Sequence, residues 1–403
     1  MTESAVAIEE LKSAVCAEVD RLASQLIEAS HQIHANPELN FEEHFAHDLL
    51  SDLIDANGLV TERHAYGVDT AFEARAGGRG HDVAVLCEYD ALPGIGHACG
   101  HNVIATAGLG AGLAAASIAS RAGGRLRLMG TPAEEGGGGK IEMARNGAFA
   151  DLEAAMMVHP ADADLIRMNA IAIHQVDVHF HGKAAHAAAA PEEGRNALDA
   201  AVLGYMNVAA LRQHIRPTER IHGIFVTGGD KANIVPAETT MQWMVRSNTI
   251  ASLQPLKERV LACFEGSAAA CGCTMDVEWD GVTYADMIDN APMVESYVAN
   301  AARVGRAVED PTVTGKNVVG STDMGNISYL VPSIHPMIQV APAGVPIHTV
   351  DFAAWAVSPD GDRAVLDGAK IMAMTVVDLW CQSGLMDSVR TPFETRPRNV
   401  QVL

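Results

Sequence analysis

Residues 97–102 read HACGHN, and roughly thirty residues later comes an isolated acidic pair, Glu134–Glu135. A thiolate and an imidazole two residues apart, Cys99 and His101, suit a transition metal, and adjacent carboxylates at a strand end suit general-base work. The acids are flanked by GTPA and GGGG, so they stand alone on a flexible backbone that allows close approach. A division of labour follows. One carboxylate binds metal; its neighbour takes a proton from the attacking water and later returns it to a leaving amine. GGGGK at 136–140 is not a phosphate loop, because Glu134 stands where the first glycine belongs and Ile141 replaces Ser or Thr. A cysteine-nucleophile enzyme built on Cys99 and His101 is disfavoured, since side chains two residues apart seldom face each other for proton transfer.

The surrounding chain must place these groups. Val15, Val19, Leu22 and Leu26 recur every three or four residues and predict an amphipathic first helix ending at HANPEL. Strand–helix alternation follows: strands at 81–89, 125–130 and 154–158, with a small-residue helix after HACGH and a short helix at KIEMARNG. That order predicts a mostly parallel sheet with helices on both faces. Ligands collect at the carboxyl ends of such strands. Asp90 falls after the first strand, Glu134 and Glu135 after the second, and His159 after the third.

Near residue 170 the pattern changes. VDVHFHG alternates apolar and polar, and a helix (195–214), strands (221–229 and 238–246), a helix (252–268) and a strand (273–280) follow. The order β-α-β-β-α-β is the split-βαβ, ferredoxin-like unit. A helix at 292–306, the strand-like 336–342 and a helix at 366–384 return to the first pattern. The expected fold is therefore α/β, a mostly parallel three-layer catalytic domain (1–169 and 286–403) interrupted by a ferredoxin-like lid and dimerisation domain (170–285).

Bulk properties bound the function. The chain has 403 residues, enough for two or three domains. A formal charge of −22 argues against nucleic acid or anionic membrane as partner. No window of about 18 uninterrupted apolar residues indicates a membrane span. The N-terminus carries acids where a secretory signal has basic residues, so a cytoplasmic location is expected. Seven cysteines, an odd number without framework spacing, read as reduced thiols, and Cys271-Gly-Cys273 reads as structural. His174, His179 and His181 read as structural too.

The strings EYDALPGIGHACGHN, GTPAEEGGGGK, MMVHP, GKAAHAAAAPEEGRNAL, NIVPAET…R, GSTDMGN and IHTVDF, in this order over residues 30 to about 385, together resemble the dinuclear aminoacylase/carboxypeptidase/amidohydrolase family. The branch most similar holds aminobenzoyl-glutamate hydrolase, auxin-conjugate amidohydrolases and β-alanyl-lysine-type dipeptidases. The resemblance implies two divalent ions, Mn or Zn, bridged by Cys99. His101 and His159 would complete one, and Glu135 and His348 the other. Glu134 matches the general base, and Asp90 an acid that orients the site. His186 matches a histidine that reaches the partner subunit's site and steadies the oxyanion, while Asn233 and Arg246 match residues holding the substrate carboxylate. Two departures stand out: Asn102 replaces an aspartate common among relatives, and no histidine ligand precedes Asp90.

The expectation is a cytoplasmic homodimeric amidohydrolase cleaving a small N-acyl amino acid or dipeptide with a free carboxylate, most simply as a dipeptidase. Alternatives are an aminobenzoyl-glutamate hydrolase, an N-acetyl amino acid deacetylase, or a metal-binding relative without catalysis.

Overall fold

The computed structural model describes residues 3–315, 319–396 and 402–403. The chain divides into two compact units. One takes the chain up to Asn169 together with residues 287–396; the other is Ala170–Asp286.

The first unit is built on a six-stranded sheet in the spatial order Thr61–Arg63, Phe72–Ala76, Arg125–Gly130, Asp82–Cys87, Ala154–Met156, Ser333–Ile334. The last four strands are mutually parallel, and Phe72–Ala76 runs against them. Every residue of Asp82–Cys87 is buried, as expected of a parallel strand covered on both faces. Its side chains alternate between two cores: Val83, Val85 and Cys87 enter one, Ala84 and Leu86 the other.

On the larger core lie three long helices, Glu3–Ala35, His101–Ala122 and Pro359–Cys381. His101–Ala122 is long and apolar enough, by composition, to cross a membrane, yet 83% of its most apolar window is buried inside the protein. Its small residues explain the burial. A Cβ at Gly108 would lie 2.4 Å from the Leu86 carbonyl oxygen, and one at Gly112 2.6 Å from Leu128 Cδ1. The helix thus packs on the sheet by its backbone, which fixes where its first residue, His101, can stand.

Several elements differ from expectation. Thr61–Arg63 and Phe72–Ala76 add an antiparallel edge that FEARA conceals, because Glu73 is buried and satisfied by Arg75 at 2.6 Å. Helix His44–Ala56 is a further addition; Glu38 caps its start by accepting from the N–H groups of Phe45 and Ala46. Within 336–342 only Met337–Gln339 is extended, and it pairs with His159–Ala161 in a separate two-stranded ladder. The sixth strand of the main sheet is Ser333–Ile334.

The second unit runs Ala172–His181, helix Ala197–Leu211, Arg220–Thr227, Glu238–Ser247, helix Ile250–Cys271, Thr274–Trp279. With its strands numbered 1 to 4 along the chain, the sheet order is 4-1-3-2, antiparallel throughout. Burial alternates strictly along Ala172–His181. Its inward residues Val176, Val178 and Phe180 join Trp243 and Phe264 in a core covered by both helices. Asn196 and Thr249 cap those helices through their side chains. Cys271-Gly-Cys273 is the end of the second helix, where Gly272 takes φ +65°.

Candidate metal centre and active site

Three strand ends of the first unit converge. After Asp82–Cys87 the chain presents Glu88 and Asp90, both buried. A turn then leads to Cys99, and Gly100, at φ +80°, starts the helix headed by His101. Only glycine serves there, because a Cβ would lie 2.6 Å from Pro160 Cγ. After Arg125–Gly130 come Glu134 and Glu135; His159 opens the short strand beyond Ala154–Met156. His348 arrives from a distant loop. It has φ +64°, and its N–H is held by the Ala98 carbonyl at 2.8 Å.

Two groups of donor atoms result, Cys99–His101–His159 and Cys99–Glu135–His348, each with its atoms within 4.8 Å of one another. Cys99 belongs to both. Its Sγ lies 3.3 Å from His159 Nε2, and Glu135 Oε1 lies 3.3 Å from His348 Nε2. Ligand atoms on a common tetrahedral ion with bonds of about 2.0–2.3 Å are themselves roughly 3.3–3.8 Å apart. His101 Nε2 is 3.7 Å from Glu135 Oε1; both atoms are buried and have charged groups near them but no well-aligned hydrogen bond. Burial without a partner is costly for a polar atom, and a cation in each donor group would satisfy the atom that belongs to it.

Protonation follows from the surroundings. His159 Nδ1 faces the Pro160 carbonyl at 2.8 Å, so that nitrogen carries the proton and Nε2 keeps its lone pair towards Cys99. Burial lowers its pKa to about 4, which keeps the ring neutral as a ligand. Asp90 Oδ1 holds His101 Nδ1 at 3.2 Å, while its Oδ2 accepts the Glu135 N–H at 2.9 Å. Burial opposes the cationic form of His101, but Cys99, Glu88 and Asp90 outweigh it and raise the pKa well above the usual range. The Cys99 thiol is pushed up by burial and by Glu135; ionisation there calls for a cation. Burial, then Glu88 and Glu135, raise Glu134 well above an ordinary carboxyl.

Behind the donors lies a buried charge network that sequence reasoning missed. Glu88 Oε1 is 3.3 Å from His101 Nε2, and its other oxygen binds the Lys140 ammonium. Lys140 also pairs with Asp323 at 2.7 Å, and all three side chains are fully buried. A third donor group, Glu88–His101–Glu134, is as tight as the other two, but there Glu88 already has the ammonium for its counter-charge. The signals were present. Glu88 precedes Asp90 by two positions on the same strand end, Asp323 lies within GSTDMGN, and Lys140 closes the GGGGK run. The Asn102 departure also has a local reason. Its buried amide donates to Ser30 Oγ at 2.8 Å and to the Ala356 carbonyl at 3.1 Å, a place that favours a neutral donor over a carboxylate.

His186, Asn233 and Arg246 belong to the second unit. The first two stand on paired segments: His186 bridges to Ile234, and the Asn233 carbonyl accepts from Ala187 N–H. His186 Nδ1 accepts from the N–H groups of Ala188 and Ala189, both at 3.2 Å, which leaves its proton on Nε2. Arg246 is half-buried and contacts His222 at 3.3 Å; among the described residues no carboxylate pairs with it. Elsewhere in this unit His174 meets the Asp280 carbonyl, His179 meets Thr240, and His181 lies between Glu238 and Asp276.

A cysteine–histidine–carboxylate cluster at the strand ends of a mostly parallel sheet, with a second carboxylate beside it, defines a metallohydrolase. Comparison with known proteins agrees. The profile of Peptidase family M20/M25/M40 matches residues 84–376. The Xaa-Arg dipeptidase of Mus musculus is 40% identical over 100% of this chain and 96% of its own length. The Xaa-Arg dipeptidase of Homo sapiens is 37% identical over 97% and 93%. In fold, the chain is similar to Bacillus subtilis YXEP, described as a dinuclear metal binding peptidase from the M20 family. That match has a TM-score of 0.71 and 17% identity, covering 90% of this chain and 99% of that one. The chain belongs to Peptidase family M20/M25/M40. It is a metal-dependent hydrolase of amide or peptide bonds, and the branch read from its motifs is borne out.

Proposed function

We propose that the protein hydrolyses dipeptides with a free terminal carboxylate and a basic C-terminal residue. Two divalent cations, Mn or Zn, would be held by Cys99, His101 and His159 on one side and by Cys99, Glu135 and His348 on the other. The observation that carries this reading is the pair of donor groups sharing one sulfur. Cations there would supply polarisation of the substrate carbonyl and acidify the attacking water enough for reaction near neutral pH. Glu134, the carboxylate next to Glu135, accepts the proton of the attacking water and hands it to the departing amine. Asp90 fixes the ring of His101 through Nδ1. Arg246 and Asn233 hold the substrate carboxylate, and the lack of an acidic partner for Arg246 among the described residues supports that role. His186 presents a protonated Nε2, the donor an oxyanion requires.

The preference for a basic dipeptide rests on the relatives named Xaa-Arg dipeptidase and on charge. A chain of net charge −22 attracts cationic substrates and repels the dianion of an acyl-glutamate. The second unit serves as a ferredoxin-like lid and joins two copies. Its edge strand Arg220–Thr227 exposes Ile224, Phe225 and Val226, and the neighbouring helix exposes Val202, Leu203 and Met206. An apolar open edge of this kind invites pairing with a second copy. His186 would act on the partner's centre. Seven free cysteines support a cytoplasmic setting.

The test is elemental analysis of purified protein followed by a panel of Xaa-Arg, Xaa-Lys and Xaa-Glu dipeptides, aminobenzoyl-glutamate and N-acetyl amino acids. Xaa-Arg and Xaa-Lys cleavage, abolished by chelator and restored by Mn or Zn, is expected. Preference for aminobenzoyl-glutamate over every dipeptide would replace the reading. Mixing Glu134→Ala and His186→Ala proteins under subunit exchange should restore activity; no recovery would refute the contribution in trans.

A further inference from the structure

Four successive glycines, 136–139, follow Glu134–Glu135. Glycine gives up the most backbone freedom on ordering, so the acids depend on fastenings outside the loop. Three carboxylates supply them by accepting main-chain N–H groups, each at 2.9 Å: Glu43 from Ala133, Asp90 from Glu135 and Asp323 from Lys140. Asp90 already orients His101, and Asp323 is bound to the Lys140 ammonium. Glu43 has no other task in the chemistry described so far.

Its setting is specific. Glu43 is fully buried. Its Oε1 takes the N–H groups of both Phe41 and Ala133 at 2.9 Å, and its Oε2 takes the Thr70 hydroxyl at 2.7 Å. Ala133 stands at φ +56°, a conformation unfavourable for any residue with a Cβ. The turn that carries Glu43 also presses on the glycines. A Cβ at Gly136 would lie 2.8 Å from Asn40 Nδ2, and one at Gly137 2.4 Å from Phe41 Cε2.

We propose that Glu43 is a positioning residue for the general base: by holding the Ala133 N–H it keeps the preceding backbone left-handed and so fixes where the Glu134 carboxylate stands. The inference rests on the reading of Glu134 given above. Displacing a catalytic group by about 1 Å costs up to roughly a hundredfold in rate.

The metal-loaded protein is compared with Glu43→Ala, Glu43→Gln, Ala133→Gly and the Glu43→Ala/Ala133→Gly double variant. Glu43→Ala should lower kcat by at least about tenfold, with KM within about threefold and bound metal unchanged. Glu43→Gln keeps an oxygen for both N–H groups and should hold kcat within about threefold of the unaltered protein. Glycine reaches positive φ unaided, so in the Ala133→Gly background losing Glu43 should cost no more than about threefold. Hydrogen exchange at the Ala133 amide should quicken in Glu43→Ala and stay slow in Glu43→Gln. Unchanged kcat in Glu43→Ala, equal damage from Gln and Ala, or fully additive losses would each overturn the proposal. Should Glu43→Ala not fold, Glu43→Asp, whose shorter side chain withdraws the acceptor from the Ala133 N–H, takes its place with the same expected results. Absence of hydrolysis by the unaltered protein would instead count against the dipeptidase reading, while the amide exchange still tests the clamp.

Discussion

Replacing Glu43 with glutamine should alter how stability depends on pH. Burial, reinforced by Asp90, raises this carboxyl from an ordinary 4.5 to about 7, against the hydrogen bond from Thr70 that favours ionisation. Between those two values the folded protein therefore binds more proton at this site than the unfolded chain does. Stability must fall as pH rises across that window and level off above it. At about 1.4 kcal/mol for each pH unit of displacement, Glu43 alone removes about 3 kcal/mol between pH 4.5 and 8. Glutamine cannot ionise. Its stability relative to the unaltered protein should therefore improve by roughly that amount over the same range. The assay is urea unfolding followed by circular dichroism over that range, with chelator throughout so that metal binding does not enter. Taking the difference between the two proteins cancels other groups, including Asp289, which burial also raises to about 7. Parallel curves would mean that Glu43 ionises inside the fold as readily as outside it, and the reasoning would fail.

Three further outcomes are expected. Glu134→Gln should abolish turnover, a loss of at least about a thousandfold, while elemental analysis finds the metal content unchanged; retained turnover would remove Glu134 from its role. Cys99→Ala should leave close to no bound metal, because its sulfur serves both donor groups, whereas His348→Ala should leave about one ion per chain. Equal losses in the two would contradict a shared sulfur. Gly108→Ala should cost about 2–3 kcal/mol, since its methyl would meet the Leu86 carbonyl at 2.4 Å, and a melting curve that does not move would show that the helix can shift.

What could be read from the sequence follows the range of the interactions involved. The strands 82–87, 125–130 and 154–156 announce themselves by apolar runs, and their ends carry Asp90, Glu134, Glu135 and His159 in chain order. The second unit, Ala170–Asp286, starts close to the change of period at residue 176. His348 lacks any local signal of that kind: it lies about two hundred residues from its neighbours and enters the site through a bond to the Ala98 carbonyl, so only the family resemblance pointed to it. Glu43, Glu88, Lys140 and Asp323 stayed hidden for a different reason. Each looks like an ordinary solvated charge until the fold removes its water and supplies the opposite charge or an N–H. The strand Phe72–Ala76 was missed because Glu73, which is buried, reads as a surface residue in the sequence.

One sulfur as the common corner of both donor groups also ties the enzyme's fate to redox chemistry. A thiolate is the form that peroxides attack, and each oxygen added turns a soft donor into a hard, bulkier one. On the proposed ligand set, a lesion at any other ligand would disarm half the centre, whereas a lesion at Cys99 would disarm all of it. With its side chain sealed away from solvent, Cys99 is shielded by the same packing that makes it indispensable.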